Sequence, residues 1–339
     1  MKTIIGVAIL LLVCCAAPAQ EQPIRNLVFE GAGIRGIAYC GAIEALEKQH
    51  LVPAIEKVGG TSAGSIVALC VALGYTAQEI SDLLYNTNFK KFNDGRFFFP
   101  GGINRMGKYF GWYRGQRFTR WLEAIIARKT GDPDISFEAL YARGFKDLYA
   151  TATLLNEQRL VVLSRHSYPK MRVKDAVRIS CSIPLYFEAL FVDREGRIYR
   201  SPRNRQGLDV MIDGGSIANF PIRIFDSVET KAGAPSVIAN GGTLGFRIDR
   251  DEQIVYDKAG RGLAGMPVTS FKEYMAALYN ITLESVNRQL LYPADWKRTV
   301  SISDGGLRPR IRKLSKTEIT VLISNGRTAT EQYLQTQTR

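Results

Sequence analysis

Gly60-Thr61-Ser62-Ala63-Gly64 lies between an apolar run that reads as a strand and one that reads as a helix. At such a turn a serine hydroxyl stands exposed above a sheet edge, and flanking glycines let the backbone close in on itself. The pattern is short and the chain holds 31 glycines, so it gains weight only from company. Upstream lies Gly31-Ala32-Gly33-Ile34-Arg35-Gly36, and downstream Asp213-Gly214-Gly215. A serine that attacks an ester needs a base to take its proton and donors for the oxyanion that forms. The Gly31–Gly36 turn, set between a strand and a helix, can aim bare backbone N–H groups into a crevice with a helix dipole behind them. Arg35 within it either holds the loop or adds charge. The same turn matches G-x-G-x-x-G of a dinucleotide site, which also wants an acidic residue about 20 positions on at the end of the next strand. Glu56 falls within that strand and the serine turn occupies the positions just after it, so the dinucleotide reading is the weaker one.

Three residues compete as the base. The chain has only two histidines, His50 and His166. His50 ends the first helix, far along the chain from the mouth of the sheet, and His166 sits in a polar connection after a strand. A surface histidine accounts for each. Asp213 follows the apolar run Val210-Met211-Ile212 and precedes two glycines, which puts it at the carboxyl end of a strand, where sites of open α/β sheets gather. A turn aspartate before glycine is the plain alternative.

The elements that must carry these residues are legible. Leu27-Val28-Phe29 enters the glycine turn, and Ile37, Ala38, Cys40, Ala42, Ile43 and Leu46 follow at helical spacing. Ile55–Val58 reads as a second strand, and a helix from Ile66 to Leu73 closes on Gly74. Two strand–turn–helix units in succession predict a parallel sheet with crossover helices. Further strands are expected at Asp147–Leu154, Arg159–Leu163, Val210–Ile212, Ser236–Ile238, Leu244–Ile248 and Arg298–Ser303. Helices are expected at Ser270–Gln289 and after Ser315, whose pairing with Glu318 makes a capping box. Residues 88–130 interrupt this rhythm with aromatics (Phe89, Phe92, Phe97, Phe98, Phe99, Trp112, Phe118, Trp121) among cations (Lys90, Lys91, Arg96, Arg114, Arg117). Glycines 95, 101, 102, 107 and 111 are expected to break any long helix before Arg117. Such interleaving suits a lipid–water interface, and equally a small satellite core with a solvated basic face.

Composition bounds the rest. With 339 residues, 46% of them hydrophobic and 23% charged, the chain can bury a large core. Its formal net charge of +13 favours anionic partners. Residues 1–19 read as a signal peptide: Met1-Lys2, an apolar core from Ile4 to Cys15, then Ala17-Pro18-Ala19 as cleavage site. Cleavage would leave Gln20 first and implies export to a periplasm or beyond, which disfavours nucleic acid as the anionic partner. Acylation at Cys14 or Cys15 is the alternative, though Val13 or Cys14 suits a lipobox poorly. Cys40, Cys70 and Cys181 then remain, an odd set in apolar stretches that reads as core rather than as a disulfide framework, and no cluster resembles a metal site.

Taken together the motifs resemble the patatin-like phospholipase family: an oxyanion turn at Gly31–Gly36, G-x-S-x-G at Gly60–Gly64, and Asp213-Gly214-Gly215 followed by Asn219 and Pro221. Ser180-Cys181-Ser182-Ile183-Pro184 with Phe187 also looks like that family's segment ahead of the aspartate. The resemblance runs from about Ile24 to Phe225. It implies a three-layer α/β fold with a mainly parallel central sheet flanked by helices, one catalytic domain over 24–339 including the basic and aromatic insertion at about 88–130. It implies a Ser-Asp dyad, with Ser62 as nucleophile and Asp213 as general base. Backbone N–H groups around Gly33 and Ile34 would hold the oxyanion, with no metal or cofactor. Ala32 departs from the family's three-glycine turn; at a positive φ its methyl would cost roughly 1 kcal/mol. The expected reaction is hydrolysis of lipid acyl esters, with an anionic membrane surface as partner. Acyl transfer on the same dyad and a dead membrane-binding module are the alternatives.

Overall fold

The computed structural model describes residues 22–95, 98–200, 202–231, 234–289, 291–307 and 313–337. The signal peptide expected at 1–19 lies outside them, as do Arg96 and Phe97 of the insertion. The central sheet has nine strands: β1 (Asn26–Phe29), β2 (Lys57–Gly60), β3 (Asp147–Leu154), β4 (Arg159–Leu163), β5 (Leu190–Val192), β6 (Ile198–Tyr199), β7 (Asp209–Asp213), β8 (Thr243–Asp249) and β9 (Thr299–Ser303). Their order is β9-β8-β1-β2-β3-β7-β5-β6, with β4 paired to β3. From β9 to β3 all neighbours run parallel, while β4, β7, β5 and β6 are joined by antiparallel pairings. β1, β3 and β8 are buried along their whole length, as parallel strands covered on both faces must be.

The flanking helices that matter for the site are α1 (Ala38–Lys48), α2 (Ala63–Ala72), α3 (Ala77–Asn86), α4 (Phe98–Tyr109), α5 (Gln116–Thr130), α6 (Val173–Ser180), α7 (Phe271–Gln289) and α8 (Lys316–Gln337). α2 is apolar almost all round and buried from Gly64 to its end, which is the pattern of a helix at the centre of the molecule. The capping box opens α8 as expected: the Ser315 amide donates to Glu318 Oε2 at 2.8 Å, and the Glu318 amide to Ser315 Oγ at 3.2 Å.

Three expectations need correction. β2 lies two residues later than Ile55–Val58, because Gly59 and Gly60 belong to the strand; side chains there would collide with Ile224 and with the backbone of Gly64. α4 forms in spite of Gly101, Gly102 and Gly107. Pro100 falls in its first turn, where no backbone donor is needed, and Gly102 is where the Trp112 ring packs against the helix. Finally, β7 runs antiparallel to β3 rather than extending the parallel order, yet Asp213 is the last residue of its strand, as expected, and stands just past the carboxyl end of β2. It reaches the serine because β3 is long: Ala150 pairs with Gly60, and two residues further on Ala152 pairs with Asp213.

Candidate active site

Ser62 joins β2 to α2 at φ 52°, ψ −123°, a conformation that costs on the order of 1–3 kcal/mol for a non-glycine residue. Neighbouring groups hold it there. The Ser62 amide donates to Ser180 Oγ at 3.0 Å, and Thr61 Oγ1 shares a 2.6 Å hydrogen bond with Thr151 Oγ1 on β3. Gly60 and Gly64 have no room for a side chain: a methyl on either would run into the Phe29 carbonyl. The two glycines of the motif are thus explained by close backbone approach.

The Asp213 carboxyl group lies near enough to the Ser62 hydroxyl for that group to lower its pKa. Asp213 is 6% exposed, and its Oδ1 also accepts the Gly215 amide at 2.8 Å. Burial pushes its pKa up to about 6, while Ser62 and the Gly215 amide pull the other way. A carboxyl group in that range can take a proton near neutral pH and return it. Its own backbone is fixed on both sides: the Asp213 amide donates to the Ser182 carbonyl at 3.0 Å, and Thr153 Oγ1 donates to the Asp213 carbonyl at 3.1 Å. Gly214 packs against Thr151 so closely that no side chain fits.

The Gly31–Gly36 turn lies over the same point. Gly33–Ile37 is a single 3₁₀ segment whose first internal bond runs from the Arg35 amide to the Ala32 carbonyl at 3.2 Å. The amides of Gly33 and Ile34 therefore precede the first intrahelical bond, and both residues line the cavity that Ser62 opens into. Gly33 carries the positive φ, at 56°, whereas Ala32 sits at φ −130°. The departure from three glycines accordingly falls where a methyl costs nothing. Arg35 holds the loop: it forms an ion pair with buried Asp304 at 3.2 Å and also donates to the Ala32 carbonyl. Asn219, the asparagine after the Asp-Gly-Gly, latches the turn to the base. Its side chain donates to the Gly31 carbonyl at 2.9 Å, its carbonyl accepts the Gly31 amide at 3.0 Å, and its own amide donates to Asn287 Oδ1 on α7 at 2.6 Å.

The cavity has a volume of about 120 Å³ and an apolar wall. Ile66 and Val67 of α2, Leu84 of α3, and Phe89, Phe92, Phe118 and Phe187 line it. Phe92 and Phe118 are buried, with tilted rings 5.2 Å apart, and both meet Trp121. These aromatics of the insertion join the main core rather than a satellite one, and they double as the wall of the pocket. Lys90, Lys91, Arg114, Arg117 and Arg120 remain on the surface.

Both histidines lie elsewhere. His50 is exposed beyond α1, and His166 is exposed with Nε2 3.7 Å from Asp147 Oδ2. Asp147 opens β3, five residues before Ala152, which is roughly 17 Å along a strand.

Sequence reasoning missed what supports the turn from below. Glu30, next to Gly31, is buried with Arg247 of β8, which also pairs with Asp249 at 2.6 Å. Burial pushes Glu30 upward against the pull of Arg247. Glu30 Oε2 accepts the Ile248 amide at 3.0 Å, so the strand entering the turn is tied to its neighbour by a side chain as well as by pairing. Charged residues inside apolar strands were the available signal.

Comparison with known proteins agrees with this geometry. The family model for patatin-like phospholipases matches residues 27–226, which is 200 of the 339. The chain is 29% identical to an uncharacterised protein of Acanthamoeba polyphaga mimivirus over 260 residues, 76% of each chain. It is 33% identical to the uncharacterised protein YqhO of Bacillus subtilis over 207 residues, 58% of this chain and 65% of that one. A probable lipid hydrolase of Invertebrate iridescent virus 6 is 24% identical over 206 residues, 59% of this chain and 62% of its own. The match thus spans a little under two thirds of those last two proteins. Among solved structures, VipD from Legionella pneumophila superposes with a TM-score of 0.59 at 17% identity, over 93% of this chain and 67% of its own. ExoU in its heterodimeric complex with SpcU from Pseudomonas aeruginosa gives 0.52 at 16% identity, over 93% and 52%. These two likenesses concern the fold. With the family match covering more than half its length, the chain belongs to the patatin-like phospholipase family.

Proposed function

We propose that the protein is an exported lipid acyl hydrolase that cleaves acyl esters of phospholipids or lysophospholipids through a Ser62–Asp213 dyad. The observation that carries this is the placement of a strained, half-buried serine beside a buried aspartate, with the serine opening into an apolar cavity. Asp213 takes the Ser62 proton as Oγ attacks the acyl carbonyl. The charge on the carbonyl oxygen is met by the Gly33 and Ile34 amides. Asp213 then returns the proton to the departing alcohol, and the acyl-enzyme is hydrolysed by a water from which the same carboxylate draws a proton. The apolar wall around Phe92, Phe118 and Phe187 suits the acyl chain. No step requires a metal or cofactor.

An anionic membrane surface is the partner this reading calls for. Phe99 and Leu185 are 66% and 63% exposed, Phe99 packs on Trp112, and Leu185 pairs with Gly111 beside exposed Phe110. Lys90, Lys91, Arg114 and Arg117 are exposed in the same insertion, a combination of apolar and cationic side chains that fits an acyl–headgroup boundary. The test is a panel of phospholipids, lysophospholipids and neutral lipids with wild type and Ser62→Ala. Release of fatty acid by wild type alone supports the proposal, and equal release by both sinks it. An acyl group passed to an added alcohol, rather than to water, would reassign the enzyme as a transferase.

A further inference from the structure

A segment of three residues touches both members of the dyad. Ser180 ends α6, and its hydroxyl oxygen accepts the Ser62 amide at 3.0 Å. The Cys181 side chain lies 3.8 Å from Ser65 Oγ and lines the cavity together with Ser62. The Ser182 carbonyl accepts the Asp213 amide at 3.0 Å. Ser62 and Asp213 sit on β2 and β7, which are not neighbours in the sheet: β3 lies between them. The 180–182 segment spans the gap, alongside the Thr61 hydroxyl, which bonds Thr151 of β3 and the Ala218 carbonyl.

Arg178, one turn earlier, is 1% exposed; burial lowers its pKa while the nearby charges of Asp94 and Glu188 pull the other way. Its guanidinium donates to Ser182 Oγ at 2.5 Å, to the Arg114 carbonyl at 3.2 Å and to the Glu188 carbonyl at 3.4 Å, and it lies over the Phe187 ring at 4.8 Å. Burying a cation against neutral acceptors is unfavourable. A planar fork of donors is what arginine offers there and lysine or methionine does not. It ties together the insertion, the strand after the segment, and the segment itself.

We propose that Ser180–Ser182 is a positioning segment for the dyad and that Arg178 holds it in register, so that Ser180, Ser182 and Arg178 govern how Asp213 meets Ser62 through the backbone amides of the two residues. The inference rests on the dyad reading above and adds to it which residues set the alignment. Removing the Ser180 hydroxyl frees the Ser62 backbone, so the hydroxyl drifts from Asp213. The carboxylate then loses a group that favours its charged form, and a higher pH is needed to ionise it.

The experiment measures kcat, KM and pH dependence on a soluble p-nitrophenyl acyl ester, with labelling by a fluorophosphonate and Tm alongside. Ser180→Ala is expected to lose about tenfold or more in kcat, with KM within about twofold and the acid limb of the pH profile moved upward. Ser180→Thr keeps the hydroxyl and is expected to recover most of the rate. Arg178→Lys keeps the charge without the fork and is expected to give the Ser180→Ala signature. Wild-type kcat and an unmoved acid limb in both Ser180→Ala and Arg178→Lys overturn the inference, as does a Ser180→Thr no better than Ser180→Ala. If Ser180→Ala fails to fold, the Arg178→Lys profile decides alone. A wild type that neither labels nor hydrolyses any ester overturns the proposed function and this inference together. An active wild type with silent variants overturns the inference only.

Discussion

Asp213 and Ala152 face each other across an antiparallel pair, two residues past the point where Ala150 faces Gly60. That offset brings the carboxyl group to the serine turn from the opposite direction, on a strand that the parallel half of the sheet does not contain. Asp213→Asn, which keeps the shape and removes the base, is expected to lower kcat about a hundred- to ten-thousand-fold. Steady-state hydrolysis of a soluble ester checks this.

The same carboxyl group sets a pH dependence of two signs. Activity needs it ionised, so kcat/KM should rise with pH through about 6 and then level off. Stability runs the other way. The folded pKa, near 6, is above the unfolded value of 3.8, so the folded state binds the proton more tightly. This contribution is complete below the unfolded pKa, declines as pH rises from about 4 to 6, and is lost above the folded value. At pH 8 Asp213→Asn should therefore be more stable than wild type, by on the order of 2–3 kcal/mol. Denaturant melts at pH 5 and pH 8 would show the gap opening with pH.

Ser62 stores strain of its own. Ser62→Gly relieves the φ of 52° and is expected to raise stability by about 1 kcal/mol while abolishing ester hydrolysis and fluorophosphonate labelling. A Ser62→Gly protein less stable than Ser62→Ala would mean that the turn is not strained.

His50 and His166 are exposed and distant from the cavity. His50→Ala and His166→Ala are each expected to keep kcat within about twofold of wild type. A loss of a hundredfold in either would restore a histidine base and remove the dyad.

Retention on vesicles should depend on charge. Replacing Lys90, Lys91, Arg114 and Arg117 by glutamine is expected to weaken sedimentation with anionic vesicles by severalfold, and about 1 M salt should do the same to wild type. Equal binding to neutral and anionic vesicles, untouched by salt, would remove the anionic surface from the proposal.

Much of the framework was legible because its signals are local. The runs Asp147–Leu154 and Arg159–Leu163 read as strands and are strands with the same bounds, since apolar and β-branched residues cluster there between turn residues. Ser62 and the glycine turn are legible from the glycines that flank them, and Asp213 from the two glycines that follow it. What could not be read was long-range. Nothing in Val210-Met211-Ile212 tells a strand that its neighbour runs the other way, because pairing direction is decided by where the chain returns. Nor does the glycine-broken stretch before Trp112 reveal a helix, since tertiary packing on that indole outweighs low propensity. The roles of Ser180 and Ser182 were equally hidden: a small hydroxyl residue in an apolar stretch looks the same whether it holds a neighbour's amide or only its own helix.

Gly41 on α1 and Gly326 on α8 allow the two helices to touch backbone to backbone, each so close to a carbonyl of the other, at Ile323 and Ala38, that a methyl would not fit. The motif-bearing stretch closes near residue 226, yet the covering of its first helix is written almost a hundred positions later. β8 and β9 come after that point too, and without them β1, which delivers the chain into the Gly31–Gly36 turn, would be a bare sheet edge open to aggregation. A fragment cut at residue 226 would hold Ser62 and Asp213 but lack the strands and the helix that cover β1 and α1.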